Sequence, residues 1–488
     1  MRSAIVIGGG VGGLAAAVRL ACKGYRTTLF EANGYLGGKL TQFEQDGYRF
    51  DAGPSLFTQP ENVAELFALA GVPMEEHLQV ERLDPICRYF WADGTQLTAT
   101  ADAARFAAEV EQKLGVPKQA VLAHLDRARG LYSRTEGVFL RQSLHKLSTY
   151  LKPSTWWSMA QLPRIDGLRS MHRANVSNLG HPKLVQLFDR YATYNGSDPY
   201  RAPATLNLIP HLEFGQGAYF PEGGMHRITE ALAGLARHVG VELVLNARVE
   251  QIVTSNGNVS GVRANGTEYS ADVVVSNADV HATYRRLLPH ERAPERALAQ
   301  ERSTSGLIFY WGIARQFPEL LLHNVFFSAD YQREFDELFQ QKTIPTEPTI
   351  YLNISSKHAR NDAPAGHENW FAMINTPPDA GQDWAALIPR ARATMLRILS
   401  ERLGVAIEPL ITTESVLEPR IIEARTSSVG GSLYGTASNS PWSAFFRHPN
   451  FSRRLRGLYF VGGSVHPGGG IPLCLRSAEI AVGLVPKA

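Results

Sequence analysis

Cysteine is scarce in this chain: Cys22, Cys87 and Cys474 are the only three among 488 residues. Their number and wide spacing exclude a disulfide framework and a cysteine-based metal cluster, and suit a reducing cytoplasm. No run of about 18 apolar residues occurs, so no transmembrane helix is expected and any membrane contact should be peripheral. The first apolar strand begins at Ser3, which leaves no room for a signal peptide before it. An excess of one charge is also missing. Lysine and arginine number 49 against 46 acids, a net charge of +3, which removes any global signal for nucleic acid. Repeats and low-complexity tracts are absent. What is present is 44% hydrophobic residues, ample for a core, in a chain long enough for two interleaved domains.

A glycine turn organises the rest. Ala4, Ile5, Val6 and Ile7 run into Gly8-Gly9-Gly10-Val11-Gly12-Gly13, and Leu14, Ala17, Val18 and Ala21 follow at helical spacing. This predicts a buried strand feeding a helix. Gly8 permits the tight turn, Gly10 removes the side chain that would hold a pyrophosphate off the backbone, and Gly13 lets helix and strand pack closely, with Gly12 in the same turn. Phosphate would sit on the unpaired N–H groups of the helix start, where the dipole favours negative charge. A second strand over 27–30 ends in Glu31, an acid roughly 20 residues on, where a ribose hydroxyl needs an acceptor. The series predicts dinucleotide binding and leaves NAD and FAD both open.

Ala32 comes next, then Gly37-Gly38-Lys39, then Phe50-Asp51-Ala52-Gly53-Pro54-Ser55. Glycines so soon after the acid keep the backbone low where an extended cofactor continues past its ADP half. Far downstream, a strand over 242–245 precedes Val249, a meander over 259–270, and Val273-Val274-Val275-Ser276-Asn277, a buried strand ending in small residues as at a nucleotide crevice. The chain closes on Tyr459-Phe460-Val461-Gly462-Gly463-Ser464-Val465-His466-Pro467-Gly468-Gly469-Gly470-Ile471-Pro472. A strand, a glycine loop and a helix starting near Pro472 are expected there.

Between these ends the texture changes. Residues 131–175 hold seven basic residues against two acids, interleaved with Trp156, Trp157, Met159, Leu162 and Leu168. Such a segment either caps the core with a solvated basic face or lies at a bilayer surface. Asp189-Arg190-Tyr191-Ala192-Thr193-Tyr194-Asn195-Gly196 follows a helix and is unusually polar for a core. Strands over 307–313, 349–354 and 370–375, rich in aromatic and β-branched residues, form either the wall of a greasy channel or plain core. Asp189, Arg190 and His466 are the candidates for a catalytic role; for each, structural hydrogen bonding is the competing reading.

With those residues in view, the chain resembles the flavoprotein amine oxidase superfamily, and in particular the bacterial carotenoid desaturases of the phytoene desaturase type. The Gly37-Gly38 pair, the segment from Phe50 to Pro54, the Glu222-Gly223-Gly224 loop, the run from His323 to Ser328 and the closing loop carry the resemblance. Within the family, the closing loop and Arg190-Tyr191-Ala192-Thr193-Tyr194 look most like hydroxycarotenoid 3,4-desaturases. The resemblance implies an α/β fold in which a Rossmann-like FAD-binding domain (1–58, 217–288 and 451–488) interleaves with an α+β substrate domain (59–216 and 289–450) carrying a mixed sheet and a helical cap. It implies FAD held by Gly8, Gly10, Gly12, Gly13, Glu31, Ala32, Gly37, Gly38, Lys39, Gly53, Pro54, Val249, Asn277, Gly463, Ser464, Gly470, Ile471 and Pro472, with Val249 packing on adenine and the helix start after Gly470 placed to stabilise negative charge on a reduced isoalloxazine. It further implies a hydrophobic carotenoid substrate, an electron acceptor such as quinone or oxygen, and a cytoplasmic enzyme peripheral on the inner membrane face. Desaturation of a 1-hydroxycarotenoid at C3–C4 is the leading activity, and desaturation of phytoene comes next. A carotenoid isomerase and a non-enzymatic lipid carrier share the fold. A terminal hydroxyl would need a polar partner deep in the channel.

Overall fold

The computed structural model describes residues 2–151, 155, 161 and 164–488. Strand β1 (Ser3–Ile7) is the middle of a five-stranded parallel sheet, flanked on one side by Val273–Ser276 and Leu458–Phe460 and on the other by β2 (Arg26–Phe30) and Glu242–Val244. A parallel sheet is covered on both faces, which explains the continuous apolar runs. Side chains alternate along β1. Ala4 and Val6 pack into the core built with helix α1 (Val11–Cys22), the C-terminal helix Ile471–Leu484 and helix Arg227–His238. Ile5 and Ile7 pack with Val249, Ile252 and Val262 of the antiparallel meander Val249–Ser255, Asn258–Ala264 and Thr267–Ser270.

A second sheet has seven strands in the order Ile411–Leu417, Ser305–Ile313, Glu368–Thr376, Ile350–Asn353, His323–Phe326, Cys87–Phe90 and Gln96–Ala99. Only the pairing of His323–Phe326 with Cys87–Phe90 is parallel, so the sheet is mixed. The last two strands are joined by a hairpin turn at Trp91–Thr95, where Gly94 takes φ +84°. One face carries Phe309, Trp311, Trp370 and Ile374 into a core closed by helix Trp384–Leu403. Asp383 caps that helix by accepting from Ala386 N, and Gly404 at φ +66° ends it. The opposite face carries Ile308, Tyr310 and Phe371 toward the hairpin Gln42–Gln45 and Tyr48–Asp51. The aromatic strands are therefore core on one face and cavity wall on the other, because their side chains alternate.

The basic segment begins in helix Lys118–Thr135, continues through the wide turn Glu136–Leu140 and the short helix Leu147–Tyr150, and ends in helix Met171–Leu179. Lys152, Trp156, Trp157, Met159 and Leu162 lie outside the described residues. Leu151 and Leu168 are exposed, at 78% and 99%. Among the described residues, no helix is long and apolar enough to cross a membrane.

Candidate functional site

One cavity of about 750 Å³ opens between the two sheets, and every cofactor candidate named from the sequence lines it except Gly13. Gly13 serves the turn from behind. A Cβ there would lie 2.0 Å from the Gly8 carbonyl oxygen, so only glycine lets α1 approach β1 this closely. Gly8 has φ +94°, as the tight turn requires. A Cβ on Gly10 would come within 2.9 Å of Asn277 Nδ2, and Asn277 in turn donates to the Gly8 carbonyl at 3.4 Å.

Glu31 is buried at the end of β2, where one carboxylate oxygen accepts from Gly9 N at 2.7 Å and the other accepts from Asn33 N and Nδ2, both at 2.8 Å. The acid braces the glycine turn as well as facing the cavity. Gly9 was not singled out in the sequence, yet a Cβ there would meet Leu36 at 2.5 Å and crowd this carboxylate. Gly37 N donates to the Gly9 carbonyl at 2.8 Å, which ties the second glycine pair to the first.

Lys39 is enclosed. Its ammonium donates to the Ser432 and Leu433 carbonyls at 2.9 and 2.8 Å, and burial lowers its pKa to about 8. In the closing loop, Ser464 Oγ accepts from Val280 N at 3.0 Å. His466 is neutral, since burial lowers its pKa to about 3, and its Nε2 donates to the Gln142 carbonyl at 2.9 Å while its backbone N–H donates to the His448 carbonyl. That geometry pins the glycine loop to the segment above it. Cys474 also faces the cavity, its thiol raised to about 11 by burial. Neither α1 nor Ile471–Leu484 has a side-chain cap among the described residues, and the first residues of both line the cavity. Two helix starts with free amide donors and a buried acid beside one of them fit the phosphates, ribose and ring of FAD.

The far half of the cavity is walled by Ile308, Val325, Phe371 and Met373, with a polar cluster set among them. Arg190 lies over the rings of Tyr191 at 4.6 Å and of Tyr89 and Tyr194 at 5.3 Å. It donates to Tyr89 Oη at 3.1 Å and stands 3.7 Å from Glu213. Tyr191 donates to Glu213 at 2.6 Å, and Tyr194 donates to its other oxygen. Burial raises the Glu213 pKa, opposed by the Arg190 charge and the Tyr191 bond. Asp189 requires a correction: it lies outside this cavity, bonded to His172 Nδ1 at 2.6 Å and Asn175 Nδ2 at 2.8 Å. Neighbouring residues on a helix project about 100° apart, so Arg190 faces the cavity and Asp189 does not. Sequence reasoning missed Glu213, Tyr351 and Ser55. Their only sequence signal is polarity beside apolar stretches.

Residues 11–485 match the flavin-containing amine oxidoreductase family. The chain belongs to that family, and it is an FAD-dependent oxidoreductase. A 1-hydroxycarotenoid 3,4-desaturase from Flavobacterium sp. (strain P99-3) is 47% identical over 487 residues, covering 100% of this chain and 99% of the relative. A 4,4'-diapolycopene oxygenase from Methylomonas sp. is 35% identical, covering 98% and 96%. Among solved structures, an oxidoreductase from Methanosarcina mazei superposes with a TM-score of 0.64 at 15% identity, covering 99% of both chains, a likeness of fold.

Proposed function

We propose that this chain is a carotenoid desaturase that removes two hydrogens from the C3–C4 bond of a 1-hydroxycarotenoid. The observation that carries the proposal is the full-length likeness to a desaturase of that substrate, on a chain whose cavity passes from free helix starts to an apolar wall holding buried polar groups. The residues named above as lining the cofactor half are proposed to hold FAD: α1's start the pyrophosphate, Glu31 the ribose, Val249 the adenine, and Ile471–Leu484's start the ring. Bound FAD supplies hydride acceptance. The protein's part is to hold an apolar polyene by burial, at about 25 cal/mol per Å² removed from water, to exclude water and to align the bond. Neither Asp189, which lies outside the cavity, nor the neutral, loop-bound His466 is assigned a proton. Arg190 is given a binding role.

The domain limits proposed from sequence are compatible with the sheet membership: Ser3–Ile7, Arg26–Phe30, Glu242–Val244, Val273–Ser276 and Leu458–Phe460 build the five-stranded sheet, and strands within 87–99 and 305–417 the seven-stranded one. Peripheral contact with the inner membrane face is supported by the exposed Leu151 and Leu168 within a basic segment. Quinone or oxygen is the proposed electron acceptor.

The test is pigment analysis by chromatography and mass after expression in two hosts, one accumulating phytoene and one a 1-hydroxylated carotenoid. Loss of two hydrogens and a red shift only in the second host supports the proposal. Colour from phytoene makes the chain a phytoene desaturase, gain of oxygen makes it an oxygenase like the Methylomonas relative, and an unchanged mass points to isomerisation.

A further inference from the structure

The second sheet carries a buried donor that no other group of the described protein uses. His323 is 3% exposed and lines the cavity. Its Nδ1 lies 3.2 Å from Asn353 Nδ2, and that nitrogen is identified as the amide NH2 because it also donates to the Leu322 carbonyl at 3.1 Å. An amide nitrogen only donates, so Nδ1 is bare and the ring proton sits on Nε2. Tyr351 donates to the same Nδ1 at 2.8 Å and accepts from Ser55 Oγ at 2.7 Å. Burial, assisted by the charges of His358 and Arg190, lowers the His323 pKa to about 3 and keeps the ring neutral. The Nε2–H is therefore a neutral, buried donor with no partner among the described residues. Arg190 offers a second such donor, since its Nη1 and Nη2 reach Tyr194 and Tyr89 while its buried Nε has no partner. Buried donors are almost always paired in native structures, so two orphans on residues that line one cavity point to a ligand oxygen.

We propose that His323 Nε2–H binds the terminal hydroxyl oxygen of the substrate, with Arg190 Nε–H as the second donor, and that this pair selects hydroxylated over unsubstituted carotenoid ends. The inference rests on the desaturase proposal and names the residue that makes its choice of substrate. The chemistry places the hydroxyl near the reacting bond: it sits on C1, and C2 alone separates C1 from the C3–C4 bond. The structure meets that demand through the chain Ser55, Tyr351 and His323, which starts beside the Gly53-Pro54 segment assigned to FAD. A hydroxyl has two lone pairs and accepts from both donors, whereas an unsubstituted end leaves both unpaired.

The experiment compares binding of a 1-hydroxycarotenoid and its 1-deoxy counterpart to the flavin-loaded protein, read by quenching of tryptophan fluorescence without turnover, with product mass measured in parallel. In His323→Leu the ratio of the two affinities falls roughly tenfold, the scale of one buried hydrogen bond, and His323→Gln, which keeps an N–H donor, recovers part of it. Arg190→Lys, which keeps the charge and removes Nε–H, lowers the ratio too and serves if His323→Leu does not fold, as judged by flavin content. An unchanged ratio in the variants, or equal affinities in the unmodified protein, overturns the inference. A strong hydroxyl preference lost in the variants, but with no loss of two hydrogens in the product, overturns the desaturase proposal and leaves His323 as the hydroxyl's partner.

Discussion

The two halves of the cavity are made from different materials. The cofactor half is largely backbone: glycines where a Cβ would collide, amides at two helix starts, and one acid returning to the turn that precedes it. The substrate half is side chain, contributed by Cys87–Phe90, His323–Phe326, Ile350–Asn353 and Glu368–Thr376, with Arg190 and Glu213 entering from turns above the sheet. A backbone site tolerates almost no added volume. A side-chain site tolerates reshaping of its walls and is sensitive to the loss of either member of a buried pair.

That contrast is open to attack. Gly13→Val should have the largest effect, because its Cβ overlaps the Gly8 carbonyl: the expected product is flavin-free and poorly folded, seen as loss of the flavin absorbance in purified protein. A variant with full flavin content would show that the turn is not held as described. Arg190→Met comes second. It leaves the Glu213 carboxylate buried without its counter-charge, which costs about 3–5 kcal/mol in urea unfolding, and the double variant with Glu213→Gln should regain part of it. If the double variant is no better than the single one, the pair is not a unit.

Glu31→Ala is the milder probe of the cofactor half. It removes an acceptor from Gly9 N and Asn33, and flavin release measured by dilution should report an affinity weaker by about 1–3 kcal/mol, with the substrate half unaltered. The smallest effect concerns acid. His124, His323, His448 and His466 are all held neutral near a pKa of about 3 by burial, against an ordinary 6.5. The unfolded chain takes up protons below about pH 6.5 while the folded chain does not, so stability is complete above that value and drains away as pH falls toward 3. His124 has both ring nitrogens buried without a partner among the described residues. His124→Leu should therefore leave stability nearly unchanged at neutral pH and raise it by about 1 kcal/mol at about pH 5.7, measured as the urea midpoint at both values.

The legible part of the molecule divides along the same line. The turn from Gly8 to Gly13, the acid at the end of β2 and the helix start after Gly470 stand in contiguous stretches, and their backbone geometry agrees with what those stretches predict. Asp189 and Arg190 are equal candidates in the sequence; Arg190 lines the cavity and Asp189 does not, and only the turn of the backbone separates them. Glu213, Tyr351 and His323 give no local sign that they line one cavity: His323 and Tyr351 are 28 residues apart on strands joined by register, and Glu213 arrives from a turn far earlier in the chain.

Local chain conformation shaped each turn of the cofactor half, since a missing Cβ or a positive φ is a property of one residue and its neighbours, and the parallel sheet then brought the turns together. The identity of the family followed from those stretches. Which hydrogen-bond donors remain unpaired in the substrate half was decided by folding alone. A donor becomes an orphan only when every other group around it has already found a partner, and that depends on the whole packed structure.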